Sequence, residues 1–315
     1  MQTIEAALDG KLSESGKKQF SDALEARKHM SEEERQADIR RWMQSRVDKY
    51  NATPGKLKDG YTANTIQGDN TPIAGDGYDC PLCMNRGDTL VLEEVNGYLH
   101  EYAVPCKCMG IRRSIWRMRA SGLAKVIKQY TFDRFDTTQP WQRTMRDTAK
   151  AYLANGIPDG YWFFAGGQVG CGKTHICTAI ARELLYQMPL IYMPWENDSK
   201  RLKAIVNDAE EYGKAMKELK EIPVLYIDDL FKPVPDDHGG RKPPSGADVK
   251  LAFEILNYRY NNQLPTIISS EWTMDELIGF DEATASRISE RCDIYQLMIG
   301  PDRAKNHRLL GGTTL

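Results

Sequence analysis

The sequence predicts an α/β fold: a phosphate-loop domain built on a parallel sheet, preceded by a small zinc-ribbon-like module and an N-terminal helical domain. Three observations predict it. Beyond about residue 130, apolar strand-like runs alternate with helical stretches, the pattern of a parallel sheet covered on both faces. Gly167-Gln168-Val169-Gly170-Cys171-Gly172-Lys173-Thr174 fits the spacing G-x-x-x-x-G-K-[ST]. The pairs Cys80-x-x-Cys83 and Cys106-x-Cys108 flank 22 residues, a layout suited to a metal-bound hairpin.

The first 50 residues read as helical and highly charged, a domain over 1–50. Ser31 with Glu34 three residues on is a capping box. Ile39, Trp42, Met43, Val47 and Tyr50 then recur at helical spacing and give one apolar stripe. That stripe serves as the core of a small bundle, as a partner surface, or as both. Residues 51–79 hold five glycines, two prolines and few large apolar side chains, the composition of a flexible linker. Residues 80–130 form the cysteine module and a basic segment. Within the module, 89–104 reads as strand, turn, strand around Asn96-Gly97, a favoured hairpin turn. Four thiolates suit a tetrahedral zinc ion and leave no open position for catalysis. His100 is a possible substitute ligand for the tighter second pair.

From Tyr102 to Thr131 there is no acid, and Lys107, Arg112, Arg113, Arg117, Arg119, Lys125 and Lys128 surround Trp116. Such a run can track a single-stranded nucleic-acid backbone, or be a solvated helix face. Over 131–315 the expected order is strand 160–166, helix 174–186, strand 189–194, charged helix 198–219, strand 222–229, helix 247–261, strand 264–270, then mostly short helices over 273–315.

Composition sets outer bounds. The chain has 315 residues, is 41% hydrophobic and 27% charged, and carries a net charge of −2, so no global field draws it to nucleic acid or membrane. No apolar run approaches the roughly 18–20 residues of a membrane span, and "MQTIEAALDG" lacks a charged-then-apolar signal pattern. A cytoplasmic location is expected. Seven cysteines, four of them closely spaced, then favour a metal site over disulfides.

The phosphate-loop spacing has a chemical reason. Glycines let the backbone fold tightly, so that successive N–H groups point at phosphate oxygens, and the following helix adds its positive end. Gly167, Gly170, Cys171, Gly172, Lys173, Thr174 and His175 form the candidate nucleotide-binding set. Lys173 would reach the terminal phosphates and the Thr174 hydroxyl would ligate Mg²⁺. "VLYIDDL" (224–230) is an apolar strand ending in two acids. Asp228 would hold Mg²⁺, and Asp229 would orient or deprotonate the attacking water. "TIISSEW" (266–272) offers Ser270 as a sensor of the terminal phosphate, or a plain turn start. Arg287 and Arg291 lie four apart on one helix face; Arg291 is the favoured arginine finger, a solvated face the alternative.

Taken in order, "CPLC … CKC", "SGLAKVIKQYTFDRFD", "GGQVGCGKTH", "IDDLFK", "FEILNYRYNNQLPTIISSE" and "ASRISERC" resemble the DnaC/DnaI-type replicative helicase loaders, in their phage-borne and Gram-positive forms. The resemblance covers roughly residues 80–310; the first 75 match only in layout. It implies an AAA+ fold and an ATPase that binds ATP and Mg²⁺. It also implies single-stranded DNA binding, a homo-oligomer through the AAA+ domain, and delivery of a hexameric DnaB-type helicase onto DNA, the helicase being held through the N-terminal domain. By position, Lys173 and Thr174 would be the Walker A pair, Asp228 and Asp229 Walker B, and Arg291 the finger. Sensor 1 falls on Ser270 or Glu271, and Arg308 is the sensor 2 position. The Asp-Asp ending of Walker B implies slow hydrolysis. Rival readings are a transposition-associated AAA+ ATPase and a non-catalytic zinc- and DNA-binding adaptor with a structural ATP site.

Overall fold

The computed structural model describes residues 15, 25, 29–53, 78–121, 123, 126–237 and 240–309. Most of the expected 1–50 domain ahead of residue 29, the linker over 54–77 and Lys125 lie outside them. The chain divides into two compact units. Among the described residues the first holds those up to 53 together with Asp79–Cys106, and the second holds Tyr78 and everything from Lys107 onward.

In the first unit, α1 (Glu32–Ala52) starts at the expected capping box. Ser31 Oγ accepts from the Glu34 N–H, and the Glu34 carboxylate accepts from the Ser31 N–H. β1 (Asp88–Val95) and β2 (Tyr98–Pro105) form an antiparallel hairpin. Asn96 and Gly97 both take positive φ, 54° and 80°, as the expected two-residue turn requires. α1 lies on this hairpin. Val47 is buried, and Tyr50 OH donates to Asp88 at 3.1 Å. The Asn51 amide takes both backbone groups of Leu90, donating to its C=O and accepting from its N–H at 2.9 Å each. The apolar stripe is only half used: Trp42 is 56% exposed and Ile39 is 41% exposed, with the Arg46 guanidinium 4.9 Å over the Trp42 ring.

The second unit is a five-stranded parallel sheet in the order β4-β5-β8-β3-β9. Its strands are β3 (Phe163–Gly167), β4 (Leu190–Pro194), β5 (Val224–Asp228), β8 (Thr266–Ser269) and β9 (Gln296–Ile299). The short ribbon β6 (Val234–Pro235) and β7 (Arg241–Lys242) follows β5. Alternate strand residues feed two cores, because successive side chains leave a strand on opposite faces. Phe163 and Tyr226 join Ile115, Met145 and Ile180 on one face, drawn from α2 (Cys108–Ala120), α4 (Pro140–Ala151) and α5 (Lys173–Leu185), with the short α3 (Val126–Gln129) beside them. Phe164 and Ile227 join Leu202, Leu219, Ile255 and Ile288 on the other.

The expected helix over 198–219 is two helices, α6 (Trp195–Ala204) and α7 (Ala209–Glu221). Asp208 separates them, capping α7 by accepting from the N–H groups of Glu210 and Glu211. The expected run of short helices at the C-terminal end is instead α9 (Met274–Cys292), kinked at Asp281, followed by strand β9. Between them, α8 (Gly246–Asn261) carries Arg259, which is fully buried. Its guanidinium donates to the carbonyls of Leu219, Lys220, Ile222, Pro223 and Pro265 and to Thr266 Oγ1. One side chain thus fastens the end of α7 to the entrances of β5 and β8. Burial pushes its pKa down to about 9, which leaves it charged at neutral pH.

Candidate nucleotide site and cysteine centre

β3 ends at Gly167, and α5 begins at Lys173. Gly167, Gly170 and Gly172 take φ of 98°, 74° and 93°, values that L side chains rarely adopt. A Cβ on Gly167 would lie 2.2 Å from the Ile299 carbonyl oxygen, and one on Gly170 would lie 2.1 Å from Asn306 Oδ1. The turn is therefore glycine-shaped on steric as well as dihedral grounds. Lys173 is 6% exposed; its Nζ donates to the carbonyls of Gly167 and Gln168 at 2.9 and 2.7 Å. Burial lowers its pKa, against the raising pull of Cys171, Glu271 and Asp229. A buried ammonium at the mouth of a glycine turn, held by carbonyls alone, suits a polyanion.

Thr174 Oγ1 donates to Asp228 Oδ1 at 3.1 Å, which brings the two expected Mg²⁺ ligands together at the ends of β3 and β5. Asp228 also accepts from Ser269 Oγ at 2.5 Å and from the hydroxyls of Tyr226 and Tyr192 at 3.0 Å. Burial raises its carboxyl pKa, and the three further hydroxyls act against that rise. The set of a threonine hydroxyl and a strand-end carboxylate fits a hard divalent cation with oxygen ligands.

Asp229 has φ of 55°. Its N–H donates to Ser269 Oγ at 2.9 Å, and its carboxylate accepts from Lys232 Nζ at 2.9 Å. Lys232 also pairs with Glu271. Ser270 is placed differently from Ser269. It is fully buried, donates to the Leu230 carbonyl at 2.8 Å and accepts from the Trp272 N–H. Its hydroxyl is thus spent on backbone, while Ser269 reaches the acid and Glu271 the lysine. Sequence reasoning missed Ser269, Lys232 and the two tyrosines as parts of this site.

His175 points away from the loop. Its Nε2 donates to the Thr131 carbonyl at 2.9 Å, its ring stacks on Tyr130 at 4.5 Å, and burial lowers its pKa. Cys171 is buried, with Sγ on the Gln168 carbonyl at 3.0 Å. Arg308 is exposed, but its neighbour His307 donates its N–H to the Gly170 carbonyl at 3.1 Å, so the segment carrying Arg308 runs beside the phosphate loop. Arg291 sits at the other end of β3: its carbonyl accepts from the N–H of Trp162, the residue before the strand. Its guanidinium donates to the Tyr260 carbonyl at 3.1 Å and lies 5.4 Å over that ring, and its Nε is buried without a hydrogen-bond partner. Arg287 shares the same ring and donates to Asn257. This placement keeps Arg291 from its own chain's loop.

The sulfurs of Cys80, Cys83, Cys106 and Cys108 all lie within 4.8 Å of one another and all four residues are buried. Cys80 and Cys106 are 3.7 Å apart, too far for a disulfide, and among the described residues no disulfide forms. Four sulfurs at about 2.3 Å from a tetrahedral zinc would lie about 3.8 Å apart, so the quartet fits that ion. Positive φ at Met84, Asn85 and Gly87 turns the first knuckle, and the Gly87 N–H donates to Cys83 Sγ. His100 is exposed on β2 and takes no part.

The basic run is partly absorbed by folding. α2 buries Ile111, Ile115 and Met118 in the core. Arg112 is buried with Tyr78 under its guanidinium, and Arg117 pairs with Glu218. Lys107, Arg113 and Arg119 stay exposed. No helix among the described residues is long and apolar enough to cross a membrane.

No protein-family model matches the chain. The phage-like element PBSX protein XkdC of Bacillus subtilis is 35% identical over 243 residues, 74% of this chain and 87% of its own. The replicative helicase loader DnaI of the same organism is 28% identical over 177 residues, 51% of this chain and 53% of its own. The crystal structure of the DnaC helicase loader is 21% identical and aligns over 56% of this chain and 99% of its own, with a TM-score of 0.47. On the first of these matches, and with the glycine turn, the Thr174–Asp228 pair and the parallel sheet in place, the chain belongs to the family of the PBSX protein XkdC, among the DnaC/DnaI-type AAA+ proteins.

Proposed function

We propose that the protein is an ATP-dependent loader that binds a hexameric replicative helicase of the DnaB type and delivers it onto single-stranded DNA. The observation that carries the reading is the meeting of Lys173, Thr174 and Asp228 at one end of the sheet, in a chain related to a replicative helicase loader. Lys173 would offer its ammonium to the terminal phosphates, Thr174 and Asp228 would hold Mg²⁺, and Asp229 would orient water. Bound MgATP supplies a phosphoanhydride whose hydrolysis removes charge from the loop. Arg291 would act on a neighbouring subunit's nucleotide, which couples nucleotide state to assembly geometry. The work is mechanical switching: the protein holds the helicase in a loadable state and then releases it.

The division of labour follows the chain. Residues 1–50 would hold the helicase, 51–79 would act as a tether, 80–130 would carry zinc and the basic segment, and 131–315 would form the ATPase. The half-exposed stripe of α1 supports the first assignment, since Trp42 is free of the core. Trp42→Ala in the full chain is expected to weaken the complex with the host's replicative helicase at least about tenfold, as an exposed aromatic anchor would. Weighing the complexes with and without ATP, with circular dichroism as the folding control, measures it. A Trp42→Ala protein that binds as tightly as the parent rules out the stripe, and a parent that forms no complex rules out the loader.

We propose zinc for the four cysteines on the same footing. Metal analysis of purified protein is expected to find about one zinc per chain, as a closed four-thiolate site holds. Cys106→Ser is expected to lose it and to loosen 80–106 while nucleotide binding persists. A folded parent protein without metal would dismiss the assignment.

A further inference from the structure

Glu271 is an acid where the nucleotide reading wants no further negative charge. β8 lies between β3 and β5 in the sheet. Its C-terminal end therefore opens between the phosphate loop and the Asp228–Asp229 pair. Glu271 follows that end directly, and Arg241 fixes its backbone by donating to the Glu271 carbonyl at 2.9 Å. Arg241 is itself held by Glu276 and lies 4.4 Å over the Trp272 ring. The acid is built in rather than left loose.

Three carboxylates, Asp228, Asp229 and Glu271, thus gather at one end of the sheet with two ammoniums, Lys173 and Lys232. Lys232 bridges Asp229 and Glu271, which leave adjacent strands. Lys173 is close enough to feel Glu271, Asp229 and Lys232 electrostatically. A terminal phosphate entering this cluster would meet the Glu271 charge head-on unless a cation stood between them. The Lys232 side chain is 35% exposed. A lysine is a point charge on a flexible stem, so it can turn toward a new anion without leaving the old ones far behind.

We propose that Lys232 is the residue by which this site tells a nucleoside triphosphate from a diphosphate: held in reserve by Asp229 and Glu271, it swings its ammonium to the terminal phosphate. The inference rests on the nucleotide reading given above and adds to it a cation supplied by the same chain, outside the phosphate loop. Asp229 and Glu271 lose part of their counter-charge as the lysine turns, so terminal-phosphate binding also frees the carboxylate that would orient water.

The test compares ATP and ADP affinities, each with Mg²⁺, by titration calorimetry on the full chain. Lys232→Ala is expected to weaken ATP at least about tenfold and to leave ADP within about twofold. Glu271→Gln removes one of the two carboxylates that hold the lysine, and is expected to tighten ATP several-fold without changing ADP. Lys232→Arg keeps the charge and should retain most of the preference, so the result does not hang on the folding of one variant. Equal effects on the two nucleotides would make Lys232 a structural ion pair and overturn the inference alone. A parent protein that binds neither nucleotide would overturn the nucleotide reading and this inference with it.

Discussion

Lys173→Ala abolishes nucleotide binding: affinity is expected to fall at least about a hundredfold, the equivalent of about 2.7 kcal/mol. The lysine is the main cation of the loop, and charge-assisted bonds to phosphate are the strong ones. Its ammonium already sits buried on the loop's own carbonyls, so the cost of desolvating it is met during folding rather than on binding. The substitution removes a donor from Gly167 and Gln168 as well, and the loop itself relaxes. Calorimetry with ATP and Mg²⁺ measures the loss, and thermal melting confirms that the domain stands. Unchanged affinity in Lys173→Ala would end the assignment of the phosphate loop.

Arg259→Met is expected to be the most destabilising substitution outside the site. The guanidinium satisfies five carbonyls and one hydroxyl in a fully buried position. Buried acceptors left bare cost about 1–3 kcal/mol each, though not additively. A loss of about 4 kcal/mol follows, in the range reserved for broken buried networks. For a domain of this size that lowers the melting temperature by about 8–16 °C. Arg259→Lys keeps the charge but has three donors for six acceptors, and should fall between. Thermal melts of the three proteins check the order. A Met variant melting within about 2 °C of the parent would show that the carbonyls find other donors.

The phosphate loop was legible because its chemistry is contiguous: eight neighbouring residues declare the turn, the cation and the metal ligand without tertiary knowledge. The Asn96-Gly97 hairpin and the Ser31 capping box were legible for the same reason. Ser269 and Ser270 show where that reading stops. Neighbours on a strand face opposite ways, and a shift of one residue exchanges the two. Sequence favoured Ser270, whose hydroxyl goes to the Leu230 carbonyl, while Ser269 reaches Asp228. Tyr192 and Tyr226 read as ordinary strand aromatics, since only the pairing of β4 with β5 brings their hydroxyls onto one carboxylate. Arg259 sits in the last turn of α8, where a cation normally favours the helix dipole in solvent, and nothing local betrays its burial. β9 is four residues long, too short for a period to establish itself.

The Asn51 amide gives the hairpin a neighbour that no strand supplies. It occupies the N–H and C=O of Leu90 together, as the next rung of a ladder would, and so blunts an edge that would otherwise template a foreign chain. A fragment cut between α1 and the hairpin would strip that guard. Such a piece, starting near residue 76, would carry an open rung and a bare face where Val47 had packed, and would tend to recruit copies of itself. Clumping of that fragment in a binding assay would then report a lost chaperone-like contact within the chain, not an affinity for helicase or DNA.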